Sequence, residues 1–355
     1  MKLFNNINRT LLKEPFFFKK KKKINFLKEN LILLHEHHLK NCKEYNLISK
    51  KINFSFNDKN DIADYIFIPS QLFKFYELRS IKEGDIYRTL TSSGTSSAKK
   101  SRIVLDKTSS ILQGKVLINI ASSFIGKERM PMVCFDNKNI LSDKKTLAAR
   151  NAGLIGFSIF SNKTHFALDE SLNVNISELN HFLKSINSNN ILFFGLTSII
   201  WQSLNKLEIS ILNKKNSYLI HGGGWKKLAD KKISNQKFKS IIKKKLNIKK
   251  IFNYYGMVEQ TGSIFFECEK GYFHTSNFSD IIIRNKNLEV VKNKTLGIVQ
   301  TISVLPYSYP GMSILTEDVG IVYGEDCCKC GRNGKIFKIF GRLKNSELRG
   351  CSDIR

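Results

Sequence analysis

Thr91 to Arg102 brings together the residue types that bind oxyanions. Hydroxyl side chains, a single glycine and the basic residues Lys99, Lys100 and Arg102 lie within this stretch, and an apolar run follows it. Ser/Thr hydroxyls and backbone N–H groups bind oxyanions, and the basic side chains neutralise their charge. The stretch predicts a triphosphate-binding loop, with a solvated Ser/Thr-rich turn as the alternative. It is not a Walker loop, because it lacks the Gly-Lys-Ser/Thr ending.

Two later stretches have the same organisation, an apolar run followed by residues suited to a ligand. His221-Gly-Gly-Gly-Trp-Lys-Lys227 follows Tyr218-Leu-Ile220, and Tyr254-Tyr-Gly-Met-Val-Glu-Gln260 follows Ile251-Phe252. Each is typical of a strand that ends in a loop able to reach a ligand. The alternative for the three glycines is a flexible turn.

A second constellation consists of cysteine and histidine. Cys268 and His274 are separated by five residues, and Cys328 and Cys330 form a tight Cys-x-Cys-Gly turn. Three thiols and one imidazole are a common tetrahedral zinc set. Because Cys327 is adjacent to Cys328, the sequence leaves open which of the two cysteines is a ligand. The alternative to a zinc site is a β-hairpin with ordinary reduced thiols.

The net charge of +28 indicates either an anionic partner or a compositional bias. A basic nucleic-acid-binding protein would present a basic stripe interleaved with aromatic residues. The lysines are instead spread along the chain, together with abundant Asn, Ile and Phe. We therefore favour the compositional interpretation, predict no specific nucleic-acid partner, and retain nucleic-acid binding as the alternative of a different class.

The cysteines and the apolar runs bear on location. The seven cysteines are an odd number and two of them are adjacent, which fits a disulfide framework poorly and favours a reducing cytoplasm. No apolar run approaches the ~20 residues of a membrane helix, so we expect no transmembrane segment. The only sustained apolar run before Lys23 is too short for a signal-peptide core.

The hydrophobic pattern predicts an α/β protein. Residues 1–23 have the composition of a basic, poorly ordered tail, and Phe26 to Ile48 has the spacing of a helix. Apolar strand-like runs at Pro131–Phe135 and Ile191–Gly195 alternate with helical stretches. After Gly262 the segments become short, β-rich and separated by turns, including Leu288–Val291, which predicts a smaller β-subdomain.

Four segments of the chain carry a resemblance to a known family. They are Phe67-Ile-Pro-Ser-Gln-Leu-Phe-Lys74, His221-Gly-Gly-Gly-Trp-Lys-Lys227, Tyr255-Gly-Met-Val-Glu-Gln-Thr-Gly-Ser263 and Glu347-Leu-Arg-Gly-Cys-Ser-Asp353. The order of the motifs resembles that of the adenylate-forming superfamily. From about Phe26 to the end, the chain is similar to one branch of it, the acyl-protein synthetases, which are the fatty-acid–protein ligases of bacterial luminescence and their relatives in surface-polysaccharide loci.

The resemblance implies a large-domain fold with a β-rich subdomain and three segments. These are a basic tail (1–23), an α/β core with a helical N-terminal part (24–262), and a β-rich subdomain that ends in an acyl-acceptor segment (263–355). The chain ends thirteen residues after Arg342. We therefore expect the mobile C-terminal domain of most adenylate-forming enzymes to be missing, as it is in this branch.

The resemblance also implies a function, the ATP-dependent activation of a carboxylic acid, fatty by analogy, to an acyl adenylate. The implied phosphate loop is Ser92, Ser93, Gly94, Thr95 and Lys99. Ala98 stands where many relatives have proline, which leaves open whether Lys99 or Lys100 contacts phosphate. The implied residues around adenine and the acyl group are His221, Gly222, Gly223, Gly224, Tyr255 and Gly256.

Three further ligand contacts and the acyl acceptor follow from the same resemblance. Glu259 matches the Mg²⁺ ligand, Asp318 matches the acid that binds the ribose hydroxyls, and Arg342 matches the arginine that contacts ribose or phosphate. Cys351 is the implied acceptor of the acyl group, with a small buried cysteine as the alternative. Structural zinc on a similar Cys/His set occurs in phenylacetate-CoA-ligase-like relatives.

The resemblance leaves the acid and the final acceptor open. The implied partners are a carboxylic-acid substrate and an acyl-acceptor protein, either a reductase or a carrier. The alternative with the same fold is an acyl-CoA-ligase-like or surface-polysaccharide enzyme that uses another acid and another acceptor.

Overall fold

The computed structural model describes residues 2–52, 54, 61–92, 99–141, 146–204, 216–224 and 233–343. Its helices are α1 (Lys2–Leu11), α2 (Lys20–Asn41), α3 (Lys43–Lys51), α4 (Leu72–Phe75), α5 (Lys107–Ile125), α6 (Ala149–Ser158), α7 (Ile176–Ser185), α8 (Thr197–Leu204) and α9 (Asn235–Leu246). Within these ranges, no helix has both the length and the apolar character needed to cross a bilayer.

The strands are β1 (Ile68–Pro69), β2 (Arg88–Thr91), β3 (Arg102–Leu105), β4 (Met130–Phe135), β5 (Thr146–Ala148), β6 (Ser161–Phe166), β7 (Asn190–Leu196), β8 (Asn216–Gly222), β9 (Lys250–Tyr255), β10 (Phe265–Phe266), β11 (Phe273–His274), β12 (Ser279–Arg284), β13 (Gly297–Ser303), β14 (Ser313–Glu325) and β15 (Lys335–Arg342). The chain forms two units. The first unit comprises the described residues within 1–92, 97–124 and 256–347, and the second unit those within 125–255.

The second unit contains a parallel sheet in the order β6, β4, β7, β8, β9. Parallel neighbours need crossover connections, and helices α6 to α9 alternate with these strands along the chain. Apolar side chains from strands and helices share one core, including Val133, Phe193, Leu219 and Phe238. The carboxyl ends of adjacent strands lie together, with Gly195 opposite His221 and Gly222 opposite Tyr254.

The first unit contains an antiparallel sheet in the order β11, β15, β14, β13, β12, and β1 pairs parallel with β14. This is the β-rich texture predicted for the chain after Gly262. The predicted strand at Leu288–Val291 was wrong, since Val290 makes only an isolated bridge with Arg284. Leu288 has a positive φ of 66°, which an extended strand does not accommodate.

The N-terminal segment differs from the expected poorly ordered tail. Residues 2–11 form helix α1, and Leu3, Ile7, Phe16 and Phe18 are buried. Lys23 is also buried, with 1% of its surface exposed. The prediction followed the lysine-rich composition and overlooked the spaced apolar residues, which pack this segment into the first unit.

The predicted helix at Phe26–Ile48 is two helices, because Cys42 adopts extended backbone between α2 and α3. This break lets the Tyr45 hydroxyl bond Nδ1 of His35 at 2.7 Å, and His38 bonds Ser80 and the carbonyl of Pro306. These histidines therefore have protein partners in the core.

Candidate functional site

The hydroxyl-rich loop joins the two strands of a β-hairpin, β2 and β3. At its base, the Ser92 hydroxyl accepts a hydrogen bond from the Ser101 N–H at 2.8 Å, and the Ser92 N–H donates to the Ser101 carbonyl at 3.0 Å. Ser93, Gly94 and Thr95 lie outside the described residues. The Lys99 ammonium is 5.3 Å from the ring centroid of Phe75.

The triple-glycine stretch follows the carboxyl end of β8, as predicted for a strand that ends in a loop. His221 and Gly222 are its last two residues, and both are buried. Gly223 has a φ of +75°, which a residue with a Cβ rarely adopts. Among the described residues, no atom lies within 4 Å of a Cβ placed on Gly224.

The His221 imidazole is held inside the second unit. Its Nδ1 lies 2.9 Å from the Thr197 hydroxyl, which also donates to the Gly222 carbonyl at 3.0 Å. Burial, together with a smaller contribution from the nearby Lys239, lowers the pKa of His221 to about 3. The ring is therefore neutral at physiological pH, and we do not assign it an acid–base role.

Gly222 makes room for an aromatic ring of the protein itself. A Cβ at this position would lie 2.5 Å from Cε1 of Tyr254, the residue opposite it on β9. The Tyr254 ring also stacks with Phe194 and packs against Phe157. The requirement for glycine at this position comes from the Tyr254 ring. Tyr255 is the half-buried last residue of β9, and Gly256 follows it exposed.

Glu259 lies in a 3-10 turn, Val258–Gln260, within the first unit. Its side chain is 6% exposed. Burial raises the pKa of the Glu259 carboxyl, and Asp318 raises it further, while Ser101 and Arg342 partly offset the rise. A buried carboxylate in this position gains stability from a nearby cation.

The turn that carries Glu259 is anchored from both sides. The Gln260 amide donates to the carbonyls of Gly311 and Thr301 at 2.9 and 3.3 Å. The next residue, Thr261, donates to Gln113 on α5 at 2.6 Å. These bonds fix the backbone on which the Glu259 carboxylate is presented.

Asp318 and Arg342 face each other across β14 and β15. They are paired in register, and Nε of Arg342 lies 3.5 Å from Oδ1 of Asp318. Both groups are close enough to Glu259 to change its pKa. The first unit therefore brings together three charged residues that lie far apart in the chain and that were predicted from the sequence as ligand contacts.

The cysteine and histidine constellation also converges in the first unit. The ligand atoms of Cys268, His274, Cys328 and Cys330 all lie within 4.8 Å of one another. The Cys268 and Cys328 sulfurs are 3.9 Å apart, and the Cys330 sulfur is 3.4 Å from Nε2 of His274. Tetrahedral zinc with Zn–S bonds of about 2.3 Å would separate its ligands by about 3.8 Å, so the set fits zinc.

Local backbone and protonation are consistent with this fit. Gly331 has a φ of +82° in the turn that presents Cys328 and Cys330. Burial raises the pKa of Cys268 and raises that of Cys328 to about 12. Burial also lowers the pKa of His274 to about 4, so the imidazole is neutral. Burial and the neighbouring thiols disfavour ionisation of these cysteines, whereas a bound cation would favour their thiolate forms.

Sequence reasoning missed three side chains that shape these stretches. Thr197 contacts both His221 and Gly222, and Gln260 anchors the Glu259 turn. Asp136, which directly follows strand β4, forms a two-point ion pair with Arg150, at 2.6 and 2.5 Å. For Thr197, the available signal was a hydroxyl residue directly after the buried strand β7. For Arg150, no local pattern indicated the partner.

Comparisons with known proteins identify the family. The family model described as Acyl-protein synthetase, LuxE, matches residues 5–355. A long-chain-fatty-acid–luciferin-component ligase of Vibrio harveyi is 22% identical over 343 residues, which is 90% of this chain and 84% of the relative.

Solved structures show the fold. A 2-hydroxyisobutyryl-CoA ligase in its postadenylation state superimposes with a TM-score of 0.72 at 12% identity, covering 94% of this chain and 70% of that chain. An open conformation of the same ligase gives a TM-score of 0.71 at 13% identity, covering 94% and 77%. The predicted α/β fold of the adenylate-forming enzymes is confirmed.

The family match extends over nearly the whole chain and agrees with the fold and with the order of the motifs. The chain belongs to the acyl-protein synthetase family, whose members are ATP-dependent acid ligases that activate an acid as its acyl adenylate and transfer the acyl group to a protein.

Proposed function

We propose that this enzyme activates a long-chain fatty acid with ATP and Mg²⁺ and passes the acyl group through the Cys351 thiol to an acceptor protein. The proximity of Glu259, Asp318 and Arg342 in the first unit is the structural observation that carries the proposal. The name of the Vibrio harveyi relative supports a fatty acid as the substrate. An acyl-activating enzyme also explains the nucleotide-type motifs without a nucleic-acid partner.

The proposed nucleotide contacts are those that the sequence indicated. The Asp318 carboxylate would accept hydrogen bonds from both ribose hydroxyls, and Arg342 would contact ribose or phosphate. Tyr255 would pack on the adenine. The proposed backbone and hydroxyl contacts are Ser92, Ser93, Gly94, Thr95, His221, Gly222, Gly223, Gly224 and Gly256. The Lys99 ammonium would contact phosphate.

Glu259 is the proposed ligand of Mg²⁺. Its carboxylate is an oxygen ligand of the kind that a hard cation prefers, and its burial leaves the negative charge poorly solvated. When bound, Mg²⁺ would offset the charge of the phosphates as the substrate carboxylate approaches.

The two chemical steps balance without a further reactant. A carboxylate oxygen attacks the α-phosphorus of ATP, the bond to the β-phosphate oxygen breaks, and pyrophosphate leaves. The Cys351 thiolate then attacks the acyl carbon, the acyl–phosphate C–O bond breaks, and AMP leaves. In the final transfer, a nucleophile of the acceptor protein attacks the thioester carbon, the C–S bond breaks, and the Cys351 thiolate is restored. Cys351 lies outside the described residues, so its role depends on the family resemblance and on the neighbouring Arg349, which would favour the thiolate.

Three further assignments belong to this proposal. Zinc on Cys268, His274, Cys328 and Cys330 would be structural, because four protein ligands leave no open position. The cysteines within the described ranges form no disulfide, which supports a reducing cytoplasm. The third is the organisation of the chain into residues 1–23, 24–262 and 263–355, whose boundaries differ from those of the two observed units.

Carboxylate-dependent ATP–pyrophosphate exchange tests the activation step. We expect exchange with Mg²⁺ and fatty acids, with weaker exchange for aryl and short-chain acids. Folded protein that shows no exchange with any acid of the panel would overturn the proposal. Preference for a short-chain or aryl acid would retain acid activation but remove the fatty-acid assignment.

Labelling tests the transfer step. Labelled acyl groups should remain on the denatured protein and be released by hydroxylamine, and Cys351→Ser should lose this label while it retains exchange. Cys327→Ser is the matched control, because Cys327 is exposed and outside the four-residue cluster. Equal label on Cys351→Ser and wild type would exclude Cys351 as the acceptor. Release of acyl-CoA on addition of CoA, without protein label, would favour the ligase alternative.

A further inference from the structure

Thr197 is positioned to control the end of strand β8. It is the first residue of α8, it is 5% exposed, and its hydroxyl lies within hydrogen-bond distance of two groups on β8. One is Nδ1 of His221 at 2.9 Å, and the other is the Gly222 carbonyl at 3.0 Å. A single side chain therefore connects the ends of two neighbouring parallel strands, β7 and β8.

The two contacts together assign the His221 tautomer. A hydroxyl has one proton to donate, and a carbonyl oxygen can only accept. Thr197 therefore donates to Gly222, and its oxygen accepts a hydrogen bond from Nδ1–H of His221. The proton of the neutral imidazole is on Nδ1, which leaves Nε2 as an unprotonated acceptor.

The surroundings of the His221 ring agree with this tautomer. The side chain is 1% exposed, and its ring lies 4.7 Å from that of Phe238. Within the described part of the chain, Nε2 is buried and has no hydrogen-bond partner. Leaving a buried N–H unpaired costs more than leaving one acceptor unused, so Nδ1–H bonded to Thr197 is the favoured state.

We propose that Thr197 is a positioning residue for acid activation. Its hydroxyl fixes the Gly222 carbonyl and, through the His221 ring, sets the backbone from which Gly223 and Gly224 extend. Thr197 itself contacts neither reactant. This inference rests on the proposed role of residues 221–224 in binding the nucleotide and the acyl group.

The fixed backbone has a specific consequence for catalysis. A loop that leaves the strand end in one fixed orientation presents its N–H and C=O groups without reorganisation. Small displacements of such groups lower the reaction rate. Without the Thr197 hydroxyl, Gly222 loses the donor to its carbonyl and His221 can exchange its tautomer. Removal of the Thr197 hydroxyl should therefore slow the catalysed reaction more than removal of another hydroxyl in the same helix.

Three variants test the proposal by ATP–pyrophosphate exchange. Thr197→Val keeps the shape and removes the hydroxyl, and Thr197→Ser keeps the hydroxyl. Ser203→Ala is the matched control, since the Ser203 hydroxyl is buried in the same helix and donates to the Ile199 carbonyl of that helix. We expect kcat/KM to fall about tenfold or more in Thr197→Val, which corresponds to about 1.4 kcal/mol. Thr197→Ser and Ser203→Ala should stay within about threefold of wild type.

Long-range ¹H–¹⁵N NMR of labelled protein gives a readout independent of activity. In wild type and Thr197→Ser, His221 should show the Nδ1–H tautomer, and Thr197→Val should shift it towards Nε2–H. An Nε2–H tautomer in wild type would overturn the proposal, as would Thr197→Val with wild-type kcat/KM. Absence of exchange in wild type would instead defeat the proposed function, and the tautomer measurement would still decide the Thr197 contact.

Discussion

The ring of Phe16 packs edge to face on the ring of His274, with centroids 5.8 Å apart and planes at 77°. Phe16 belongs to the segment between α1 and α2, and His274 belongs to the Cys/His cluster. Arg332, which follows the Cys330 turn, lies over the ring of Phe124 and donates to the Ser123 carbonyl. The N-terminal segment and the cluster are therefore one packed structure within the first unit.

This packing predicts that metal removal loosens the N-terminal segment. Purified protein should contain about one equivalent of zinc, as one tetrahedral four-ligand set requires. Chelation should accelerate tryptic cleavage at the exposed residues Lys19 to Lys22 about tenfold, because local opening exposes cleavage sites. Cleavage sites and rates are measured by mass spectrometry of timed digests. Cys328→Ala should lose the metal, and Cys327→Ala should retain it; a metal-free protein cut at the wild-type rate would contradict the coupling.

Lys23 is predicted to be a stability determinant despite belonging to a lysine run. Its ammonium donates to the Thr275 hydroxyl at 2.5 Å and lies 3.5 Å from Oδ1 of Asp280. Burial alone would raise the pKa of Asp280, but Lys23 and Lys335 outweigh it and lower that pKa. Removing one partner of a buried ion pair leaves the other charge buried without compensation. Since Lys335 remains near Asp280, we expect Lys23→Met to lower the free energy of unfolding by about 2 kcal/mol.

Denaturant unfolding measures this effect, and Lys20→Met is its control. Lys20 is exposed and pairs with Glu325 at 3.6 Å, so its loss should cost less than about 0.5 kcal/mol. The lowered pKa of Asp280 places its stabilising contribution above the ordinary carboxyl pKa, and this contribution is lost as the pH falls through the lowered value. Equal stabilities of the two variants would show that the buried pair is not stabilising.

Gly222→Ala is predicted to destabilise the second unit through Tyr254. The new Cβ would approach the Tyr254 ring to 2.5 Å, and overpacking of this kind costs about 1–3 kcal/mol. Within the described ranges, a Cβ on Gly224 meets no atom within 4 Å, so Gly224→Ala should change thermal stability little. Adding Tyr254→Ala removes the ring that clashes, so the double variant should lose less than the sum of the single losses. Strict additivity would mean that the cost of Gly222→Ala does not come from the contact with the Tyr254 ring.

Glu259→Gln is predicted to separate stability from activity. Because burial raises the folded-state pKa of Glu259, the ionised carboxylate costs stability as the pH rises from its ordinary pKa through the raised value. Without ATP and Mg²⁺, the glutamine variant should therefore be at least as stable as wild type at pH 7. Its Mg²⁺-dependent exchange should fall about a hundredfold or more, since loss of metal-site partners alone costs 10–100-fold.

Unfolding at pH 5 and pH 8 and exchange kinetics measure the two effects of Glu259→Gln. Glu289→Gln is a suitable control, because the Glu289 carboxylate is exposed and bonds the nearby Asn285 side chain. Retention of Mg²⁺-dependent exchange by Glu259→Gln would remove Glu259 from the metal site.

The amino-acid sequence by itself determined the family, the α/β class and which charged residues are candidate ligand contacts. These follow from local information, namely residue types, their spacing and hydrophobic periodicity. Asp318 and Arg342, for example, are recognisable from their motifs, whereas the ion pair between them is seen only in the structure.

Only the tertiary structure decided which side chains contact one another across the sheets. It placed Tyr254 against Gly222, Thr197 between two strand ends, and Phe16 against the Cys/His cluster. It also buried Lys23, which composition alone assigned to a solvated tail. Such relationships depend on strand register and on the packing of segments distant in the chain, and neither is encoded in the spacing of neighbouring residues.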